Sequence, residues 1–252
     1  MRASPVPAAE LEVAQRELVL RFGSERGATV RTLYAWLNLT LLLVFAWPLL
    51  VVFFDAPSVT PADTPGDWFA LRLAAPVLVT AIALRIWWAS GAPRHVAVRA
   101  GLRDLAASGQ LWIQVTAFLA ILTVVLAVVL LLSDPTAAAK VLLLGLFEAL
   151  AIQLIVPGYV KTTFEALEAD PGRAFWICVA LLALTFALRG TMVAAVEPDV
   201  APEVVAGAAI ALGLAGVLLG AAFVYLRDRT GSLLPGILLA WLVLAIVPAV
   251  AG

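Results

Sequence analysis

Long apolar stretches recur along the chain and are separated by short polar segments. Seven of these stretches reach the roughly 20 residues that a helix rising about 1.5 Å per residue needs to cross a hydrocarbon layer about 30 Å thick. They cover residues 33 to 54, 70 to 90, 111 to 132, 138 to 160, 174 to 195, 203 to 226 and 233 to 251. They lack the alternation typical of strands, and backbone inside a bilayer must satisfy its own hydrogen bonds. The pattern predicts an all-α fold, a polytopic helical bundle of about seven transmembrane helices.

The first 32 residues differ from the rest because they mix charges of both signs with isolated apolar residues. The apolar residues at helical spacing are Leu11, Ala14, Leu18 and Phe22. This spacing predicts a short amphipathic helix that lies on the membrane surface, with docking on a partner as the alternative. We therefore divide the chain into a cytoplasmic arm, residues 1 to 32, and a transmembrane domain, residues 33 to 252. The arm lacks the apolar run of a signal peptide, so we expect the first span to act as the anchor.

Charge and composition place the bundle in a membrane and give its orientation. Hydrophobic residues make up 63% of the chain and charged residues 13%, which is more apolar surface than a soluble domain can bury. Basic residues gather in four segments. These are the arm, the loop after the second span, the segment that starts at Lys161 after the fourth span, and the segment after the sixth span. The other connections are acidic or nearly uncharged. By the positive-inside rule the basic segments are cytoplasmic, which predicts a cytoplasmic N-terminus and a multi-pass protein of a bacterial or archaeal cell membrane.

Few ionisable side chains fall inside the predicted spans, and their cost in a bilayer often marks function. Glu148 lies near the middle of the fourth span, and Gln153 follows it in the same span. Arg189 lies in the outer half of the fifth span, where two interpretations remain open: it snorkels outward, or it pairs with Glu148. Arg85, near the cytoplasmic end of the second span, is interpreted as a snorkelling side chain. We predict Glu148, Gln153 and Arg189 as the polar contacts of a binding site.

The remaining acidic residues of the C-terminal half fall in predicted loops or at the ends of spans. They are Glu165, Glu168, Asp170, Glu197, Asp199, Glu203 and Asp228. A second carboxylate beside Glu148 is therefore not expected.

Three sequence blocks follow one another between residues 140 and 245. They read LFEALAIQLIVPGYV, GRAFWICVALLALTFALRG and AIALGLAGVLLGAAFVYLRDRTGSLLPGILL. The third combines a glycine-rich helix, suited to close packing, with a turn over Thr230 to Ser232, in which Ser232 is the expected N-cap. In this order the blocks resemble the CPBP family of intramembrane proteases, which includes the CAAX prenyl endopeptidases. The resemblance implies that Glu148, Gly190 and Ala240 converge on one cavity accessible from the cytoplasm.

Most catalytic residues of that family are replaced in this chain. Active members use membrane-embedded Glu and His side chains to activate water, and a later His with an Asn or Asp to hold the oxyanion. By resemblance, the matching positions are Glu148, Ala149, Gln153, Gly190, Ala240 and Leu244. Only the first Glu is retained, and the two His positions are Gly190 and Ala240. The single histidine of the chain, His95, lies in a basic loop far upstream.

These replacements remove the main contributions to peptide hydrolysis. General acid–base catalysis is usually worth about 10²- to 10⁴-fold, and oxyanion stabilisation roughly another 10²- to 10³-fold. Glu148 alone cannot supply both, and one carboxylate cannot form a stable zinc site. We expect no catalytic residues, no metal and no cofactor.

The resulting hypothesis is a pseudoenzyme of the CPBP type that acts as a binding or scaffold protein. Its partners would be the lipid bilayer and a membrane segment, lipidated peptide or other membrane protein, and nothing in the sequence favours nucleic acid. Two alternatives remain open. A small permease or transporter subunit is favoured by the embedded Glu148 and the glycine-rich packing, and an active protease of this type would require atypical residues.

Overall fold

Nearly all of the described chain is helical. The computed structural model describes residues 8–57, 62–89, 108–168, 171–196 and 200–251. In chain order, the helices of these residues are α1 Ala8–Phe22, α2 Glu25–Phe54, α3 Gly66–Ala89, α4 Gln110–Ser133, α5 Pro135–Gln153, a π-helical segment Leu154–Val160, α6 Lys161–Glu168, α7 Pro171–Val196, α8 Pro202–Thr230 and α9 Leu234–Ala251. The predicted all-α polytopic bundle is confirmed.

Six helical stretches of the described chain are long and apolar enough to cross a membrane. They coincide with the first six predicted spans, and the seventh corresponds to the shorter apolar helix α9. The outward faces of these helices are apolar, as on α4, where Ile121 and Val124 are exposed. A surface of this kind suits contact with lipid rather than water.

The fourth span is longer than the sequence pattern predicts. It runs from Pro135 to Leu167 through α5, the π-helical segment and α6. The prediction that Lys161 lies in a cytoplasmic loop was wrong, because its side chain is fully buried in the bundle. The helix continues past this charge because acidic side chains neutralise it within the fold, an arrangement that a hydropathy pattern does not reveal.

The N-terminal arm contains the predicted helix, α1, and this helix packs on the bundle of its own chain. Leu18 is buried in a small cluster with Ala28 of α2 and with Ala166 and Leu167 at the end of α6. The next helix, α2, begins earlier than the predicted boundary at residue 33, because the Ser24 hydroxyl caps it by accepting a hydrogen bond from the Gly27 amide at 3.0 Å.

Small residues let α7 and α8 pack closely, as the glycine-rich block predicts. A Cβ atom on Gly216 would lie 2.8 Å from the Ala183 Cα atom, and one on Gly220 would lie 3.1 Å from the Leu182 Cβ atom. Where burial of apolar surface gives no drive to associate, such close backbone contact supplies the packing energy.

The turn between α8 and α9 has the predicted form. Gly231 ends α8 in the left-handed region, at φ 67°, which glycine adopts without steric cost. The Thr230 hydroxyl accepts a hydrogen bond from the Ser232 amide at 3.1 Å, and the Ser232 hydroxyl accepts one from the Leu234 amide at 3.2 Å.

Four charged side chains join α6 to α8 at the end of the bundle that the sequence predicts to be cytoplasmic. We call Lys161, Glu165, Arg227 and Asp228 the ion cluster. The Lys161 Nζ atom lies 2.5 Å from Glu165 Oε1 and 2.7 Å from Asp228 Oδ1. The Arg227 Nη1 atom lies 2.8 Å from Glu165 Oε2 and 3.1 Å from Asp228 Oδ1, so the two positive charges face two negative ones.

The ion cluster corrects the expectation for Glu165. This carboxylate was expected in a loop or at a span end, but its side chain is fully buried and contacts both Lys161 and Arg227. Arg227 also donates a hydrogen bond to the Thr162 hydroxyl at 3.1 Å. Burying a charge costs several kcal/mol per ion, roughly, unless the charge is paired and hydrogen-bonded. The members of the ion cluster are paired and hydrogen-bonded in this way.

Replacing Glu165 by Ala should destabilise the protein strongly. The change leaves Lys161 and Arg227 buried with one carboxylate fewer, and breaking a buried pair in this way costs about 3–5 kcal/mol. Thermal unfolding of the purified protein in detergent measures the loss. Glu12→Ala, at an exposed position of α1, serves as the control and should change stability by less than about 0.5 kcal/mol. Equal melting of the two variants would contradict the proposed neutralisation.

Candidate functional site

A cavity of about 140 Å³ lies between α2, α3, α5 and α7. Three charged side chains contribute to its wall, Arg72, Glu148 and Arg189. The rest of the wall is apolar or aromatic and consists of Leu43, Val44, Trp47, Pro48, Val51, Ala75, Pro76, Leu144, Val193 and Val196. A cavity that is mainly apolar and carries a few convergent polar groups is the usual form of a ligand site.

The cavity lies toward the end of the bundle where α2 and α7 end and α3 begins. Arg72 is six residues into α3, about 9 Å along the helix axis. Arg189 is seven residues from the end of α7, about 10 Å along its axis. The positive-inside pattern predicts this end of the bundle to be the outer one.

Glu148 of α5 and Arg189 of α7 form an ion pair in the cavity wall. The Arg189 Nη2 atom lies 2.9 Å from Glu148 Oε2 and donates to Oε1 at 3.1 Å. Of the two interpretations left open for Arg189, the structure therefore contains the ion pair. The pair is only partly enclosed, since 13% of the Glu148 side chain and 34% of the Arg189 side chain are exposed.

Arg72 is the cavity residue that sequence reasoning missed. Its guanidinium lies 4.7 Å from the centre of the Trp47 ring, and its Nη1 donates a hydrogen bond to the Thr64 hydroxyl at 3.0 Å. The sequence does contain a signal for Arg72, because the positive-inside rule disfavours a positive charge near the predicted outer end of a span.

Gln153, the third predicted contact, lies elsewhere. Its side chain is fully buried and reaches toward α9, where a Cβ atom on Gly236 would lie 2.5 Å from the Gln153 Oε1 atom. Neither amide atom has a hydrogen-bond partner among the described residues. The structure thus brings Glu148 and Arg189 together but places Gln153 at the interface between α5 and α9, which we call the α5–α9 seam.

The π-helical segment that follows Gln153 includes Pro157. Proline has no amide hydrogen, so the regular hydrogen-bond ladder cannot pass through it unchanged. A local change of helical register of this kind is often found where a helix is adapted to a functional or packing demand.

The α5–α9 seam contains Ala149 and Ala240, two of the positions for which the sequence resemblance implies catalytic residues. A Cβ atom on Gly145 would lie 3.1 Å from the Ala245 Cβ atom, and the contact of Gln153 with Gly236 marks the other end of the seam. Ala149 and Ala240 lie between these contacts and are fully buried. Small residues at both positions let the helices close together, and Leu244, at the last family position, packs against the same core.

Gly190, which the resemblance places at the middle histidine, faces the interface between α7 and α8. A Cβ atom at this residue would lie 2.7 Å from the Ala208 carbonyl oxygen of α8. Its neighbour Arg189 points into the cavity instead. The expected cavity shared by Glu148, Gly190 and Ala240 is therefore not formed, because the two small residues sit in close helix contacts.

The other candidate residues give no additional site. Arg85 is exposed on α3, as a snorkelling side chain would be. His95 and the basic loop around it lie outside the described residues. Within the described ranges, no group of three or more His, Cys, Asp or Glu side chains is arranged to hold a metal ion.

The chain was compared with protein-family models, with curated proteins and with solved structures, and none of the three comparisons found a match.

Gly190→Ala should destabilise the protein by about 1–3 kcal/mol, because the added methyl group meets backbone atoms of α8 that cannot move aside. Gly207→Ala is the matched control on α8, since a Cβ atom there meets nothing within 4 Å, and it should stabilise by roughly 0.5–1 kcal/mol. Thermal unfolding compares the two. Gly190→His, which introduces the residue that the resemblance implies at this position, should destabilise further without producing peptidase activity. A stable Gly190→His variant would contradict the close contact.

Gln153→Met should stabilise the protein by about 1 kcal/mol or more. Methionine has a similar volume and fills the same space, but it removes two buried polar atoms whose unmet hydrogen bonds cost roughly 1–3 kcal/mol each. Chemical denaturation in detergent measures the change. A clear loss of stability would contradict this prediction and would show that the Gln153 amide has a bonded partner, such as a buried water.

Proposed function

We propose that the protein is a non-catalytic binding protein of the membrane, and that its site is the cavity lined by Arg72, Glu148 and Arg189. The proposal excludes proteolysis and does not depend on the CPBP resemblance, because the cavity shared by Glu148, Gly190 and Ala240 that the resemblance implies is not formed. The observation that carries it is the partly exposed Glu148–Arg189 ion pair in the wall of a cavity inside an apolar bundle.

The contrast with the ion cluster supports a binding role for this pair. In the ion cluster, Lys161 and Glu165 are completely enclosed by protein and Asp228 is 28% exposed, but none of its four side chains lines the cavity. Glu148 and Arg189 instead border a space of about 140 Å³, which is several times the roughly 30 Å³ that a water molecule occupies in the liquid. A charged pair beside such a space is available to a ligand.

The apolar surface beside the cavity favours a ligand or partner that arrives from the bilayer. Val193 contributes to the wall and is 58% exposed on the outer face of α7. Since the surrounding helix surfaces are apolar, this exposed part of the wall faces the region where lipid chains would lie. The proposed ligand is therefore a membrane segment or a lipid-linked molecule.

The close contacts at the family-equivalent positions support the loss of proteolysis. Ala149 and Ala240 are enclosed in the α5–α9 seam, and Gly190 is pressed against α8. Glu148 consequently has an arginine as its partner rather than a histidine or a second carboxylate. A carboxylate neutralised in this way is poorly suited to act as the base that activates water.

The binding role is tested by photo-crosslinking in intact cells, with a benzophenone amino acid at Val193. The control position is Leu218, which is 74% exposed on α8 and lies outside the cavity. We expect a discrete adduct from Val193 that is reduced by Arg189→Gln, and only diffuse lipid labelling from Leu218. Identical labelling from the two positions, unaffected by Arg189→Gln, would contradict the proposal.

The loss of proteolysis is tested separately with purified protein in proteoliposomes and a library of membrane and prenylated peptides. No cleavage above background is expected. Cleavage that Glu148→Ala abolishes would overturn the non-catalytic assignment.

A further inference from the structure

Arg189 has hydrogen-bonding capacity to spare. A guanidinium carries five N–H donors, and the Arg189 contacts within the described chain run from Nη2 to the two Glu148 oxygens. Its Nε and Nη1 atoms make no such contact there. With 34% of the side chain exposed, these donors can serve a ligand in the cavity without breaking the ion pair.

The charges of the cavity wall favour an anionic ligand. Glu148 is already paired with Arg189, whose remaining donors border the cavity. A cationic ligand would have to compete with Arg189 for Glu148. An anion gains from Arg189 through its remaining donors, and the low dielectric of the bundle strengthens that attraction relative to water.

The shape and number of the donors indicate which anion fits. Guanidinium groups present planar forks that match the oxygens of phosphate or carboxylate groups, often by two parallel hydrogen bonds. The remaining wall, which includes Leu43, Val51 and Val193, is apolar. The site therefore combines charged donors for an oxyanion with apolar surface for hydrocarbon.

We propose that the cavity binds the phosphate group of an amphiphile, such as the headgroup of an anionic lipid in the outer leaflet. This inference rests on the proposed binding function and specifies the ligand class of the same site. Phosphate is also available as a free ion, and the apolar wall predicts that the lipid-linked form binds more tightly.

The experiment titrates the purified full-length protein with three probes and follows binding by native mass spectrometry. The probes are short-chain phosphatidylglycerol, diacylglycerol of the same chain length, which lacks the phosphate, and inorganic phosphate. We expect saturable binding of phosphatidylglycerol that is at least about tenfold tighter than that of diacylglycerol, since a hydrogen bond to a charged group supplies that much discrimination.

Three charge variants test where the preference originates. Arg189→Gln should remove it, lowering phosphatidylglycerol affinity by about tenfold or more. Glu148→Gln should increase the affinity, because it removes the competing carboxylate. Arg85→Gln is the matched control at an exposed position of α3 and should stay within about twofold of wild type.

A further variant, Val193→Trp, tests binding at the cavity even if the variants that break the ion pair fail to fold. It adds bulk to the cavity wall without changing any charge, and it should reduce phosphatidylglycerol binding while leaving Glu148 and Arg189 in place. Retained binding in this variant would place the lipid elsewhere and overturn the inference.

The remaining outcomes separate the inference from the function on which it rests. Equal affinity for the two lipids, or a preference that Arg189→Gln leaves intact, would overturn the phosphate assignment. If the Val193 adduct in cells persists in that case, the binding function stands with a different ligand. Inorganic phosphate that binds as tightly as phosphatidylglycerol would overturn the lipid-linked source and identify a free-ion site.

Discussion

The cost of placing charge inside an apolar bundle governs this structure. Ionised groups are expensive in a bilayer unless they are paired, hydrogen-bonded or hydrated, and the described chain meets this constraint in two ways. At one end the ion cluster pairs two cations with two carboxylates, and Asp228 is 28% exposed while the other three side chains are buried. Toward the other end Glu148 and Arg189 pair beside a cavity. The first arrangement joins helices, whereas the second leaves charged groups accessible.

Close helix packing determines what the remaining polar positions can do. The contacts of Gly145 with Ala245 and of Gly190 with Ala208 bring helices too near for longer side chains. Gly190 is a position for which the sequence resemblance implies a catalytic group, and its close contact with α8 leaves no space for one. Glu148 is the partner of Arg189.

The fold follows from the sequence more completely than the site does. Apolar runs of sufficient length predict the spans, and the string from Thr230 to Ser232 predicts its turn, because both depend on local properties of the chain. The burial of Lys161 and Glu165 was not predictable in the same way, since it depends on Arg227 and Asp228 more than sixty residues away. Hydropathy treats each charge as isolated and therefore assigns it to a loop.

The candidate site shows the same division between local and distant information. Glu148 and Arg189 stand out in the sequence because each interrupts an apolar span, but only the packing of α5 against its neighbours separates Gln153 from them. Arg72 attracts little attention near a span end until the fold places it in the same wall.

The central claim is that the Glu148–Arg189 pair borders a ligand site rather than serving only to join two helices. The most direct test is an experimental density map of the protein in lipid nanodiscs prepared from native membrane lipids. We expect non-protein density in the cavity within hydrogen-bonding distance of the Arg189 guanidinium. A map in which side chains collapse into the cavity, or in which water alone fills it, would contradict the claim.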